Sequence, residues 1–125
     1  MRVMGRIKHK SFVILIDLGS THNFINVALV SHLHINVDTS QVWEVKVADG
    51  DLIKTQGVCE EVSIWQGHEF LVHLHVLLMG GCDLVLGTQW LGTLGVIQWD
   101  FKLLTMSFGY NHRQVLLQGL RSTRS

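Results

Sequence analysis

The sequence predicts an all-β domain, a small closed barrel carrying one or two short helices. Three observations predict it. Short apolar runs recur at close spacing, hairpin signals fall between them, and the 125-residue chain has 12 glycines and no proline to punctuate it. Hydrophobic residues make up 47% and charged ones 16%, enough for one core, while the length is too small for two ordinary domains. Ten Lys+Arg against ten Asp+Glu leave zero formal charge, which argues against a nucleic-acid clamp, since that needs a basic excess to displace counterions. Disorder is excluded because hydrophobicity is high and net charge is nil. A mean hydropathy of +0.28 suggests surplus apolar surface buried against a partner.

The elements follow in order. Met1 to Lys10 carries Arg2, Arg6, Lys8 and Lys10 and reads as an N-terminal extension over residues 1–11. Phe12 to Ile16 is a continuous apolar run ending in Asp17-Leu18-Gly19-Ser20-Thr21, a buried strand emptying into a polar turn. Phe24, Ile25, Ala28, Leu29 and Leu33 suit a short amphipathic helix with Asn23 as its cap. Trp43, Val45 and Val47 alternate with Glu44 and Lys46, and Asp49-Gly50-Asp51 reads as a hairpin tip returning through Leu52 to Gln56. Val58 to Trp65 and His68 to Leu77 flank Gln66-Gly67. In that hairpin Phe70, Val72, Leu74 and Val76 point one way and Leu71, His73, His75 and Leu77 the other. Leu84 to Gly87 is another buried run, and Thr88 to Leu94 reads as one or two helical turns stopped by Gly95. Val96 to Trp99 and Leu103 to Phe108 make a last hairpin about Asp100-Phe101-Lys102, and from Arg113 a polar tail runs out through residues 119–125.

Two cysteines, Cys59 and Cys82, make at most one bridge, and a reducing intracellular, cytoplasmic setting is expected. The longest apolar stretch, Phe70 to Leu86, is broken by His73, His75 and Asp83, so no membrane partner is expected. No apolar signal-peptide core follows the basic start.

Asp17 carries the most information. A lone carboxylate is expensive to desolvate, and this one directly follows five apolar residues. Its position fits either a turn acid capping the next helix or a catalytic aspartate on a tight turn where Gly19 lets backbone approach closely.

A wider pattern surrounds it. Ile14-Leu15-Ile16-Asp17-Leu18-Gly19-Ser20-Thr21-His22-Asn23-Phe24-Ile25 resembles the active-site segment of retropepsin-like aspartic proteases, in particular those of plant Ty3/gypsy-type retrotransposon polyproteins. Gly81-Cys82-Asp83-Leu84-Val85-Leu86-Gly87-Thr88-Gln89-Trp90-Leu91, followed by Leu94 to Phe101, is similar to the strand, short helix and closing hairpin of the same family. The resemblance spans residues 12–118. It implies a closed retropepsin-like barrel that is half of a two-fold dimer, with no cofactor and no metal. Asp17 would be the catalytic carboxylate, Leu18, Gly19 and Ser20 the active-site turn, and Val47, Ala48, Asp49, Gly50 and Asp51 the flap that closes over substrate. The partners implied are a second copy of the chain and an extended peptide or polyprotein, with no nucleic acid bound by this domain.

Asp17-Leu18-Gly19 is the only Asp-x-Gly triplet in the chain. Hydrolysis by this route needs two carboxylates, one acting as base toward a water and the other as acid toward the carbonyl. The second must come from a second chain, which a two-fold axis supplies. Leu18 departs from the family, which has Ser or Thr there to tie the two turns together. Losing those hydroxyls removes two reciprocal bonds of about 0.5–1.5 kcal/mol each, and the added bulk costs about 1–3 kcal/mol where turns meet closely. The side chains of Ser20 and Thr21 are expected to leave the turn in other directions. The resemblance therefore implies an endopeptidase of impaired activity, or alternatively an inactive dimerisation or peptide-binding module.

Other constellations carry less. His73 with His75 and His32 with His34 invite a zinc site, but the cysteines form no Cys-x-x-Cys pair to complete it. No Gly-x-Ser-x-Gly elbow supports a serine hydrolase. Trp43, Trp65, Trp90 and Trp99 are expected to pack in the core, because a single-stranded nucleic-acid platform would need a basic groove beside them.

Overall fold

The computed structural model describes residues 1–46, 50–80 and 82–121. Arg2–Ile7 (β1) alternates exposed and buried residues, with Val3, Gly5 and Ile7 facing inward. It pairs antiparallel with Lys10–Ile16 (β2) around Lys8, whose φ is 57°. The stretch expected to be an N-terminal extension is thus the first strand of the domain. Arg2, Arg6, Lys8 and Lys10 all occupy exposed positions, and their charge hides a period-two pattern whose inward residues include a glycine.

The helix expected from Asn23 starts instead at Val27. Phe24–Asn26 (β3) is a strand, and Val27–Leu33 (α1) is capped by Asn26, whose side chain accepts from the Ala28 amide at 3.2 Å. Phe24 and Ile25 are consecutive and both buried, as a strand covered on both faces requires. Glu44–Lys46 (β4) and Leu52–Lys54 (β5) make a separate two-stranded hairpin. Val58–Trp65 (β6) and Glu69–Leu77 (β7) form the long hairpin, with a register shift between Cys59 and Val62 where Glu61 takes a φ of 50°. Phe70, Val72, Leu74 and Val76 are all buried as expected, and toward the strand's end His75 and Leu77 are buried too.

Leu84–Leu86 (β8) is fully buried and leads into Thr88–Leu91 (α2), a single turn that starts at Thr88 as expected and ends short of Gly95. The barrel closes in the order β1-β2-β8-β3-β7-β6, with β1 meeting β6 at Arg6 and Trp65. Ile14, Ile16, Ile64, Phe70, Leu74, Leu84 and Leu86 fill its interior.

Ile97–Asp100 (β9), Thr105–Tyr110 (β10) and Arg113–Gln118 (β11) form a second sheet. Asp100 organises the first turn by accepting from the Lys102 and Leu103 amides at 3.0 and 2.9 Å. The polar tail expected from Arg113 is instead β11, with Val115 and Leu117 buried. Asn111 and His112 both take positive φ, 49° and 62°, as a two-residue hairpin turn demands without any glycine to announce it. The sheet seats Phe108 and Tyr110 on Phe70 and Trp90 through edge-on and tilted rings 4.7–6.1 Å apart. Trp90 is the one tryptophan that is fully buried. Trp99 is half-buried, while Trp43 and Trp65 are exposed, so the expectation of four core tryptophans holds only in part.

Candidate functional site

Asp17 leaves the end of β2 still in the barrel ladder, its amide donating to the Leu86 carbonyl at 3.0 Å. The chain then turns sharply. The Ser20 amide donates to the Asp17 carbonyl at 3.2 Å, the Gly19 amide to Asp17 Oδ1 at 2.9 Å, and the Ser20 hydroxyl to Asp17 Oδ2 at 2.8 Å. Both carboxylate oxygens are therefore held by donors of their own turn. A Cβ at Gly19 would stand 3.2 Å from Oδ1, a tight contact that the glycine avoids. The Ser20 side chain points back at the carboxylate of its own turn. Asp17 forms no salt bridge among the described residues, so no ion pair sequesters it. Leu18 projects outward, 61% exposed, at the front of the turn.

The second sequence block reaches this turn through space. The Thr88 amide donates to the Ser20 carbonyl at 2.8 Å and the Gln89 amide to the Thr21 carbonyl at 2.9 Å. Asn23, 2% exposed, ties the rest together. Its Oδ1 accepts from the Gly87 amide at 3.0 Å, its Nδ2 donates to the His73 carbonyl at 3.2 Å, and its own amide donates to Gln89 Oε1 at 3.2 Å. Asn23 is thus a strut between the turn, β7 and β8, and does not cap the helix. Gly87 has an ordinary φ of −102°, so conformational freedom does not explain it. A Cβ there would meet the Ser20 and His22 carbonyl oxygens.

A cleft of about 890 Å³ opens in front of Asp17. Phe24, Ile53, Leu77, Leu78, Met79 and Val85 supply its apolar walls, with Lys46, Gly50 and Cys82 among the rest. Of the expected flap, Gly50 lines the cleft with a φ of 91° and Asp51 follows it, exposed. Val47, Ala48 and Asp49 lie outside the described residues. The base of this hairpin is fastened to the barrel. The Gln56 amide donates to the Val76 carbonyl at 2.8 Å and Val45 packs with Phe24, Leu77 and Val85, while bonds from the Thr55 amide to the Trp43 carbonyl at 2.8 Å and from the Trp43 amide to Thr55 Oγ1 at 3.0 Å close the hairpin on itself. Sequence reasoning missed the contributions of Phe24, Lys46, Ile53 and 77–80. They reach Asp17 only through barrel closure, and no local signal marks them.

Burial, with Asp83 and Asp17 nearby, pushes the Cys82 thiol up, so it stays protonated at neutral pH. Burial also pushes the Cys59 thiol up, to about 11. His75 is held below its usual value by burial first and then by His22 and His73. Among the described residues no three His, Cys, Asp or Glu side chains converge to hold a metal ion, and no helix is long and apolar enough to cross a membrane.

The family model described as retroviral aspartyl protease matches residues 3–106. No curated protein matches. Among solved structures, the retroviral protease-like domain of Ddi1 from Leishmania major is similar with a TM-score of 0.78 at 16% identity, covering 100% of this chain and 97% of that one. A retropepsin-like aspartic protease from Rickettsia conorii is similar with a TM-score of 0.57 at 14% identity, covering 94% and 81% respectively. At such identities the two structures establish a shared fold.

Proposed function

The chain belongs to the retroviral aspartyl protease family, and from that membership we propose that it is an aspartic endopeptidase whose dyad is assembled from the Asp17 of two copies. The observation that carries the reading is one carboxylate, held on one side by the Gly19 amide and the Ser20 hydroxyl, opening on an apolar cleft beneath a hairpin. One chain supplies half of the chemistry. Two carboxylates about 3 Å apart cannot both ionise easily, so the pair shares a proton across a bound water. The ionised member takes a proton from the water as it attacks the peptide carbonyl, and the protonated member donates to the carbonyl oxygen. An extended peptide would lie between the hairpin and the cleft floor, held by backbone hydrogen bonds with its side chains in the apolar walls.

Leu18 modulates this reading. It is exposed at the front of the turn, where a two-fold mate would approach, and it brings no hydroxyl to bond across the axis. Ser20 keeps the carboxylate oriented within each chain but leaves that bond between turns unmade. Activity impaired through a weaker or looser dimer is the expected consequence, since a misplacement near 1 Å costs about 100-fold in rate. The resemblance of the two sequence blocks supports a retrotransposon polyprotein of Ty3/gypsy type as the natural substrate, and the two free cysteines support a reducing, cytoplasmic setting for the cut.

The test combines sedimentation with cleavage of an apolar peptide library. The expected result is a reversible dimer whose slow cleavage is blocked by a transition-state-mimicking statine peptide, is abolished by Asp17→Asn and rises at least several-fold in Leu18→Ser. A strictly monomeric chain at high concentration refutes the shared dyad. A dimer that binds peptide without cutting it, in the parent and in Leu18→Ser alike, identifies a binding module.

A further inference from the structure

Lys46 has no role in the proposed hydrolysis, yet it stands in the same cleft. Among the described residues lining that cleft it is the only cation, and Asp17 is the only acid. No salt bridge joins the two among the described residues, and the donors on the Asp17 oxygens are Gly19 and Ser20. Lys46 also lacks an acid across the ladder. Its register partner on β5 is Leu52, whereas Glu44, two residues earlier on the same side of the strand, stands opposite Lys54. Among the described residues of this hairpin the remaining acid is Asp51, one step beyond Leu52. The remaining walls near Lys46 are apolar: Ile53, Phe24, Leu77 and Met79.

We propose that Lys46 determines specificity, selecting peptides that carry an Asp or Glu side chain a few residues from the bond to be cut. This inference rests on the peptide-cleaving reading of the cleft. When a peptide fills the cleft it strips water from the ammonium group. An apolar side chain opposite would leave that charge without a partner, whereas a carboxylate restores the lost hydrogen bonds with a charge-assisted one. The symmetry of a dimer adds to the preference. In a dimer two Lys46 side chains would flank the dyad, so each half of the cleft offers a cation to an acidic side chain of the peptide.

The experiment uses pairs of fluorescent decapeptides with apolar residues about the scissile bond, identical except for Glu or Gln at one flanking position, scanned along the sequence. In the parent chain at least one position is expected to favour Glu over Gln by about five-fold in kcat/KM, the range of a partly exposed ion pair. The ratio should fall toward one in 1 M salt, where screening acts over only about 3 Å. Lys46→Met should bring it to one, and Lys46→Glu should reverse it in favour of Lys-bearing peptides. Equilibrium binding of the same pairs to Asp17→Asn, followed by anisotropy, reads the preference without any cleavage. Equal handling of Glu and Gln by the parent chain at every position overturns the proposal, as does a preference that survives in Lys46→Met. If nothing is cut but the Asp17→Asn binding preference depends on Lys46, the protease reading fails and the specificity stands. If no peptide binds, both fall.

Discussion

Replacing Gly87 with alanine tests whether the block from β8 into α2 holds the catalytic turn in place. The new Cβ would lie 2.5 Å from the His22 carbonyl oxygen and nearer still to that of Ser20, against the 3.4 Å at which ordinary contact begins. Backbone must therefore yield by at least about 0.9 Å, because carbonyl oxygens cannot rotate aside as a side chain end can. The segment that yields either carries the Ser20 hydroxyl away from Asp17 or breaks the bonds from the Thr88 and Gln89 amides. Overpacking of this size costs about 1–3 kcal/mol, a fall of roughly 5–15 °C in Tm for a domain of this length. The displacement of the carboxylate by nearly 1 Å lowers the cleavage rate of the folded protein by about 100-fold. Trp90, buried beside the substitution, reports unfolding by fluorescence in urea, and peptide cleavage below the transition reports the site. Gly109→Ala is the control: nothing lies within 4 Å of its Cβ, and it should stay within about 0.5 kcal/mol of the parent. A Gly87→Ala chain that melts with the parent refutes the close approach. One that melts early but cleaves normally while folded refutes the coupling to Asp17.

Asn23→Ala strands the buried Gly87 amide and removes the donor to the part-buried His73 carbonyl; at about 1–3 kcal/mol for the unpaired amide, the urea midpoint should fall by roughly 1 M, and an unchanged midpoint would deny Asn23 its role as a strut. His75 sets a pH dependence. Its folded-state value is lowered from 6.5 by burial, then by His22 and His73, so the unfolded chain takes up the proton more readily. Its contribution to stability is complete above about pH 6.5 and is lost as pH falls below that through the lowered folded value. The other titratable groups of its pocket are His22, His73 and Glu60. Because His75 Nδ1 has no hydrogen-bond partner among the described residues, His75→Phe breaks no bond seen at that atom and should flatten the fall in Tm between pH 7 and 5. Identical slopes in both proteins would acquit His75.

The amino-acid sequence by itself determined the all-β class, the β2 strand with its terminal acid, the long β6–β7 hairpin, the turn at Asp100 and the start of α2 at Thr88. Each is written in local terms: unbroken apolar runs, period-two alternation, or an Asx turn. It also singled out Asp17 through the cost of placing a carboxylate at the end of a buried strand. What local pattern obscured is equally specific. Charges on the outer face of β1 concealed a barrel strand, Asn111-His112 made a tight turn without glycine, and Asn23 carried the same cap-like signature as Asn26. Only the tertiary structure decided which asparagine caps and which braces, because the partners of Asn23 lie 50 and 64 positions away. It likewise gathered Phe24, Lys46, Ile53 and Met79 around one cleft. Those outcomes depend on contacts between strands distant in the chain, and a hydrogen bond that forms only when the barrel closes leaves no mark on the residues beside it in sequence.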